Sequence, residues 1–271
     1  MTSIKQNLAQ IHKRMSAAAR RAGRDVDEIT LVGVTKTHPA ETVLAALAAG
    51  LQHIGENRVG ELASKRQLVA EHLPASTPAP VWHMIGHIQS RKAAQAVAAA
   101  DFIHSLDSLK LARRLERFAA QAGRVTPVLL EVNLSGEAAK YGWPAARWQT
   151  GAEQWGALRE FVAAVAAMPH LRPGGLMTMA PWVMDQAIIR PVFCSARLLR
   201  DKLAAEFPAV DWRHLSMGMT DDFEIAIEEG ATIIRVGRAI FGPRRPLLPT
   251  FPEKLAHSGG SYIFTDPKRV T

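Results

Sequence analysis

The sequence predicts a single α/β domain, a (β/α)8 TIM barrel with an extra N-terminal helix. Eight short apolar runs alternate with stretches of helical periodicity, which implies parallel strands joined by right-handed crossovers. Eight strands are what a closed barrel needs, and 271 residues suit a domain type of about 250. The rival is a doubly wound open sheet. It needs no eighth strand, and no Gly-x-Gly-x-x-Gly fingerprint follows the first strand.

The elements follow in order. Residues 3–22 form an amphipathic helix, with Ile4, Leu8, Ile11, Met15 and Ala18 at spacings of three and four. The strand candidates are 29–35, 52–55, 81–86, 102–106, 127–134, 174–179, 212–216 and 232–237. Helical patterns cover 40–49, 58–71, 90–99, 108–122, 153–167, 188–206 and 221–229. Gly50, Gly123 and Gly230 stand where helices should stop. Residues 74–80 are a Pro-rich loop, and 141–152, with Trp143, Pro144 and Trp148, form a longer loop after strand five. The expected layout is a helix over 1–28 packing on a barrel over 29–245, then a Pro-, Gly- and Ser-rich tail over 246–271.

Composition excludes several classes of function. Hydrophobic residues are 48% and charged residues 21% of the chain, a globular mix with ample core. No run approaches the roughly 20 apolar residues that cross a bilayer, and the first residues lack the apolar centre of a secretory signal. With one cysteine, Cys194, no intrachain disulfide forms, and a cytoplasmic protein is expected. Cys194 falls in a helix, where a small buried hydrophobe is the expected role. The net charge of +8 is spread over scattered residues such as Lys13, Arg20, Arg91 and Arg113, without interleaved aromatics. That pattern reads as solvated helix faces and suits a small anionic ligand better than nucleic acid.

Barrel enzymes and binders place their chemistry at the C-terminal strand ends, with phosphate after strands seven and eight. Lys36 ends the first strand, where apolar walls lower an amine's pKa and favour Schiff-base formation; the alternative is a lysine leaving the strand for solvent. After strand seven, LSMGMTDD offers a tight turn at Gly218 and a hydroxyl and amide at Thr220, which suit an anion or merely cap the helix starting near Asp221. In strand eight, Arg235 and Gly237 share one side. A buried arginine needs a partner, and Glu56 and Asp222 are candidates. Asn57 and His83 add polar groups to the interior or mouth. His83 and His87 lack a third ligand at metal spacing, so no metal is expected. A ligand carrying both a carbonyl and a phosphate satisfies Lys36, Thr220, Arg235 and Gly237 together, and pyridoxal 5′-phosphate (PLP) is one.

Seven segments in order, LVGVTKTHPAETV, IGENRVGEL, WHMIGHIQSRK, IHSLDS, EVNLSGEAAKYG, GLMTMAP and HLSMGMTDDFEIAIEEGATIIRVGRAIFG, resemble the PLP-binding homeostasis proteins known as the YggS or PROSC family. They span residues 29–242. The resemblance implies the alanine racemase barrel, a fold-type III PLP protein. It implies a covalent aldimine on Lys36, phosphate held by Thr220 and the amides of Gly237 and Arg238, and Arg235 facing the pyridine nitrogen. Asn57, His83, Met177 and Ser216 complete the implied cofactor-binding set. An arginine at that nitrogen disfavours its protonation and weakens the ring as an electron sink. The chain departs from the pattern at Arg238, where the family usually has Thr. The amide contact survives that change, and the guanidinium stands in for the lost hydroxyl.

The family reading implies a PLP carrier, not an enzyme, with PLP-dependent apoenzymes as recipients and a monomeric state. Two tyrosines, Tyr141 after strand five and Tyr262 in the tail, leave little for the second acid/base that racemisation needs. The alternatives are a PLP-dependent amino-acid racemase or lyase using Lys36 as base, with His83 or Tyr262 as second acid, and a cofactor-free sugar-phosphate isomerase or aldolase.

Overall fold

A computed structural model of the chain describes residues 3–243. The expected tail and Tyr262 lie outside the described residues. The strands are β1 (Thr30–Val34), β2 (His53–Glu56), β3 (Val81–Met84), β4 (Phe102–Leu106), β5 (Thr126–Asn133), β6 (Trp143–Pro144), β7 (Leu171–Met177), β8 (His214–Ser216) and β9 (Ile233–Val236). The helices are α1 (Ile4–Arg21), α2 (Ala40–Ala48), α3 (Val59–His72), α4 (Ala93–Ala99), α5 (Leu109–Gln121), α6 (Ala152–Ala166), α7 (Gln186–Glu206), α8 (Phe223–Glu228) and α9 (Arg238–Phe241).

Eight strands close into a parallel barrel in the order β4-β3-β2-β1-β9-β8-β7-β5, with β4 pairing back onto β5. The two-residue β6 lies beside the end of β5, outside the ring, in what the sequence read as loop. Helix stops fall at Gly50, Gly123 and Gly230, each with positive φ. Most boundaries shift by a residue or more, and three of the shifts are instructive. β7 starts at Leu171, because Arg172, Pro173 and two glycines interrupt the apolar pattern of its first half. α8 starts at Phe223, two residues later than expected, and α9 turns the end of the last apolar run into a short helix.

α1 lies against α8 and α9 and buries Leu8, Ile11, Met15, Ala18 and Ala19, the face that the three-four spacing marked. Ser3 and Gln6 close a capping box at its start. Arg14–Glu224 and Arg21–Glu228 ion pairs, at 2.9 and 2.7 Å, fix it to α8, and Asn7 Nδ2 donates to Ile240 O in α9 at 2.8 Å. The main apolar core fills the space between barrel and helices. Inside the barrel a small cluster of Val32, Leu129, Met177 and Ile233 shares the interior with polar side chains.

Candidate functional site

Lys36 follows β1 in a turn and is half-buried. It stands two residues beyond Val34, the last residue of β1, a strand that pairs with β2 on one side and β9 on the other. Its neighbour Thr37 has φ 67°, the only positive φ of a non-glycine among the described residues. Such a conformation costs about 1–3 kcal/mol and persists only where the surroundings enforce it. Those surroundings are explicit. Lys65, buried on α3, donates to Thr35 O at 2.6 Å and pairs with Glu56 and Glu61 at 2.6 and 2.7 Å. Glu61 accepts from Thr37 N at 2.6 Å, and Thr35 Oγ1 donates to Glu56 at 2.6 Å. The backbone on both sides of Lys36 is therefore clamped to one buried ionic cluster.

The end of β2 supplies Asn57, whose Oδ1 is buried without a hydrogen-bond partner. Thr37 Oγ1 is in the same condition. Gly86, after β3, makes the approach to Asn57 possible: a Cβ there would stand 2.3 Å from Asn57 O.

On the other side, Ser216 ends β8, and the chain turns at Gly218, φ 92°, to reach the half-buried Thr220. Thr220 does not cap α8. That helix begins after Asp222, which folds its own Oδ1 back onto Met219 N at 2.5 Å. Arg235 on β9 is 4% exposed and donates to Ser216 Oγ at 2.6 Å and to Thr178 O at 3.0 Å. Glu56, one expected partner of Arg235, is instead committed to Lys65. Burial pulls the Arg235 pKa down to about 10 against the favourable fields of Asp222 and Glu131, which leaves it cationic at neutral pH. Gly237 lies over Val34, where a Cβ would meet Val34 O at 3.2 Å. Arg238 is exposed, and its guanidinium rests on Asp221 at 2.6 Å, so in this structure it serves that carboxylate.

Around the expected His83, the interior holds three groups the sequence reading missed: His53, His104 and Glu131. His53 Nδ1 and His83 Nε2 are 2.9 Å apart, His83 Nδ1 and His104 Nε2 2.8 Å, and His104 Nδ1 and Ser216 Oγ 2.9 Å. Both ring nitrogens of His83 are thus engaged, and burial holds its pKa down at about 3. Glu131 on β5 is buried, and desolvation, helped by Asp107, pushes its carboxyl up to about 7. At the rim, His87 pairs with Asp107 at 2.7 Å and stacks on Tyr141 at 4.0 Å between centroids. A His or Glu inside an apolar run, as in FIHSL and LLEVN, is the signal that would have found His104 and Glu131. Cys194 lies in α7 as expected but is half-buried, not buried.

Residues 6–245 match the family described as alanine racemase, N-terminal domain. The pyridoxal phosphate homeostasis protein of Aquifex aeolicus is 36% identical over 240 residues, 89% of this chain and 98% of that one. The protein of that name from Escherichia coli K12 is 37% identical over 248 residues, with 90% and 98% covered. The chain belongs to the pyridoxal phosphate homeostasis family. Among solved structures, PipY of Synechococcus elongatus, determined without PLP, matches with TM-score 0.75 and 34% identity over 89% of this chain and all of PipY. PipY with PLP bound matches with TM-score 0.73. An alanine racemase of Clostridium difficile, 13% identical with TM-score 0.62, covers 85% of this chain but matches over only 56% of its own length. At that identity it shows that this homeostasis-family chain shares the racemase barrel fold.

Proposed function

We propose that this chain binds PLP and serves intracellular PLP homeostasis, holding the cofactor on Lys36 without substantial turnover. One observation carries the reading. Lys36, Asn57, Ser216, Thr220, Arg235 and Gly237 come from β1, β2, β8 and β9 or from the segments that follow them, and these four strands are neighbours in the ring. The residues present fit the group: Thr37 Oγ1, beside Lys36, is a buried hydroxyl without a partner that can donate to an anionic ligand.

When bound, PLP supplies an aldehyde that the Lys36 amine takes as a Schiff base with loss of water. The remaining roles belong to the protein. The Lys65–Glu56–Glu61 cluster aims the Lys36 turn. Thr220 and the backbone amides of Gly237 and Arg238 hold the phosphate. Arg235 presents a buried, donor-only cation to the ring nitrogen and so keeps a proton off it. Asn57, Met177 and His83 line the cavity, with Ser216 beneath Arg235. The recipients are PLP-dependent apoenzymes, and the working unit is a monomer in the cytoplasm. No helix among the described residues is long and apolar enough to cross a membrane.

The racemase or lyase reading needs a second proton donor. His83 is a poor one, since both its nitrogens are bonded and its pKa is about 3.

The test is spectroscopic. Purified protein given PLP should gain visible absorbance, and borohydride should bleach it and leave the reduced adduct on Lys36 by peptide mass. A colourless protein that takes no adduct overturns the PLP reading. Sustained turnover of any L- or D-amino acid, abolished in Lys36→Ala, overturns the carrier role.

A further inference from the structure

We infer that His53, His83 and His104 form one hydrogen-bonded chain with the proton on Nε2 of every ring, and that through Ser216 this chain positions Arg235 in the barrel mouth. The direction follows from what each group is able to do. A guanidinium only donates, so Ser216 Oγ accepts from Arg235. Ser216 is fully buried, and its own hydroxyl hydrogen needs an acceptor, for which His104 Nδ1 stands at 2.9 Å. A neutral His104 then carries its hydrogen on Nε2 and donates to His83 Nδ1. His83 in turn donates from Nε2 to His53 Nδ1. His53 opens β2 and is half-buried, so its Nε2–H reaches the N-terminal end of the barrel.

Every lone pair in this chain points toward the Arg235 cation. Each bond polarises the next, which strengthens the hold on Ser216. Adding a proton to His83 or His104, or reversing one ring, sets two N–H groups face to face or orphans the Ser216 hydroxyl. The three histidines and Ser216 are thus positioning residues for Arg235. Their effect on the cofactor rests on the proposed PLP reading, whereas the tautomer lock does not.

The experiment uses the full chain labelled with 15N-histidine. At pH 7, long-range 1H–15N spectra should show Nε2–H and bare Nδ1 for all three rings, with or without PLP. A protonated Nδ1 on His83 or His104, or a tautomer mixture, overturns the chain. In Ser216→Ala, His104 should lose the lock and show a mixture; an unchanged His104 pattern also overturns it. For positioning, His104→Phe should weaken PLP binding about tenfold while borohydride still fixes the adduct on Lys36. His104→Asn, with an amide oxygen for the Ser216 hydroxyl, should recover part of that loss. Wild-type affinity in His104→Phe overturns the positioning role. A wild-type chain that binds no PLP overturns the proposed function and leaves the tautomer result to decide the lock.

Discussion

Lys65 Nζ bridges Thr35 O, Glu56 and Glu61 from one side of the turn that carries Lys36. Glu56 is fully buried, so Lys65→Met leaves its carboxylate without a cation. Losing one partner of a buried pair costs about 3–5 kcal/mol, and urea denaturation at pH 7 should read a loss of that order. Part of it should return at low pH, where Glu56 takes a proton. Glu131 behaves differently because the field of Arg235 only partly offsets its burial. Its carboxyl sits at about 7 in the fold against an ordinary 4.5, so the folded state binds this proton more tightly. Its contribution is fully present below about 4.5 and is lost as the pH rises through about 7. Glu131→Gln should flatten that slope, making the variant more stable than wild type at pH 8 by a few kcal/mol. A wild-type stability equal at pH 5 and pH 8 would contradict this account. Lys36, Arg235 and Thr220 stood out in the sequence as site candidates because strand ends carry the chemistry in barrels of this type. Lys65 did not stand out, since a lysine in a helical pattern reads as solvent-facing until α3 is packed on β2 and β3.

At the scale of elements, α1 shows how a sequence face becomes a docking surface. Its three-four stripe was plain in the sequence, but its target was not, because Arg14 and Glu224 stand 210 positions apart. Ile11 is 2% exposed beneath it. Ile11→Ala should lower the unfolding free energy by about 2–5 kcal/mol in urea, through lost transfer energy and the cavity left. Strand β7 teaches the reverse lesson. Arg172, Pro173 and Gly174 argue against a strand locally, yet pairing with β5 extends it back to Leu171 across a register shift. Neighbouring strands overrode the local signal.

For the whole molecule, the residues of the proposed site come from strands that are distant in sequence and meet only when the barrel closes, so a ligand bound there should stabilise the fold. PLP at about a hundred times its Kd should add about 2.7 kcal/mol of stability. For a domain of this size that is a rise of about 5–10 °C in Tm by calorimetry. Lys36→Ala should lose most of the rise. An unchanged Tm on adding PLP to wild type would count against the site.

Periodicity and strand count were enough to indicate the fold class and the order of the main elements, and the resemblance of seven ordered motif segments indicated the family, because each is encoded locally or in short motifs. The partners of the interior polar groups were decided only by the tertiary structure. His104 and Ser216 are 112 positions apart, on β4 and β8, and meet across the barrel. Period two tells which side chains face inward; strand tilt and register, set by closure of the whole sheet, determine which of them touch.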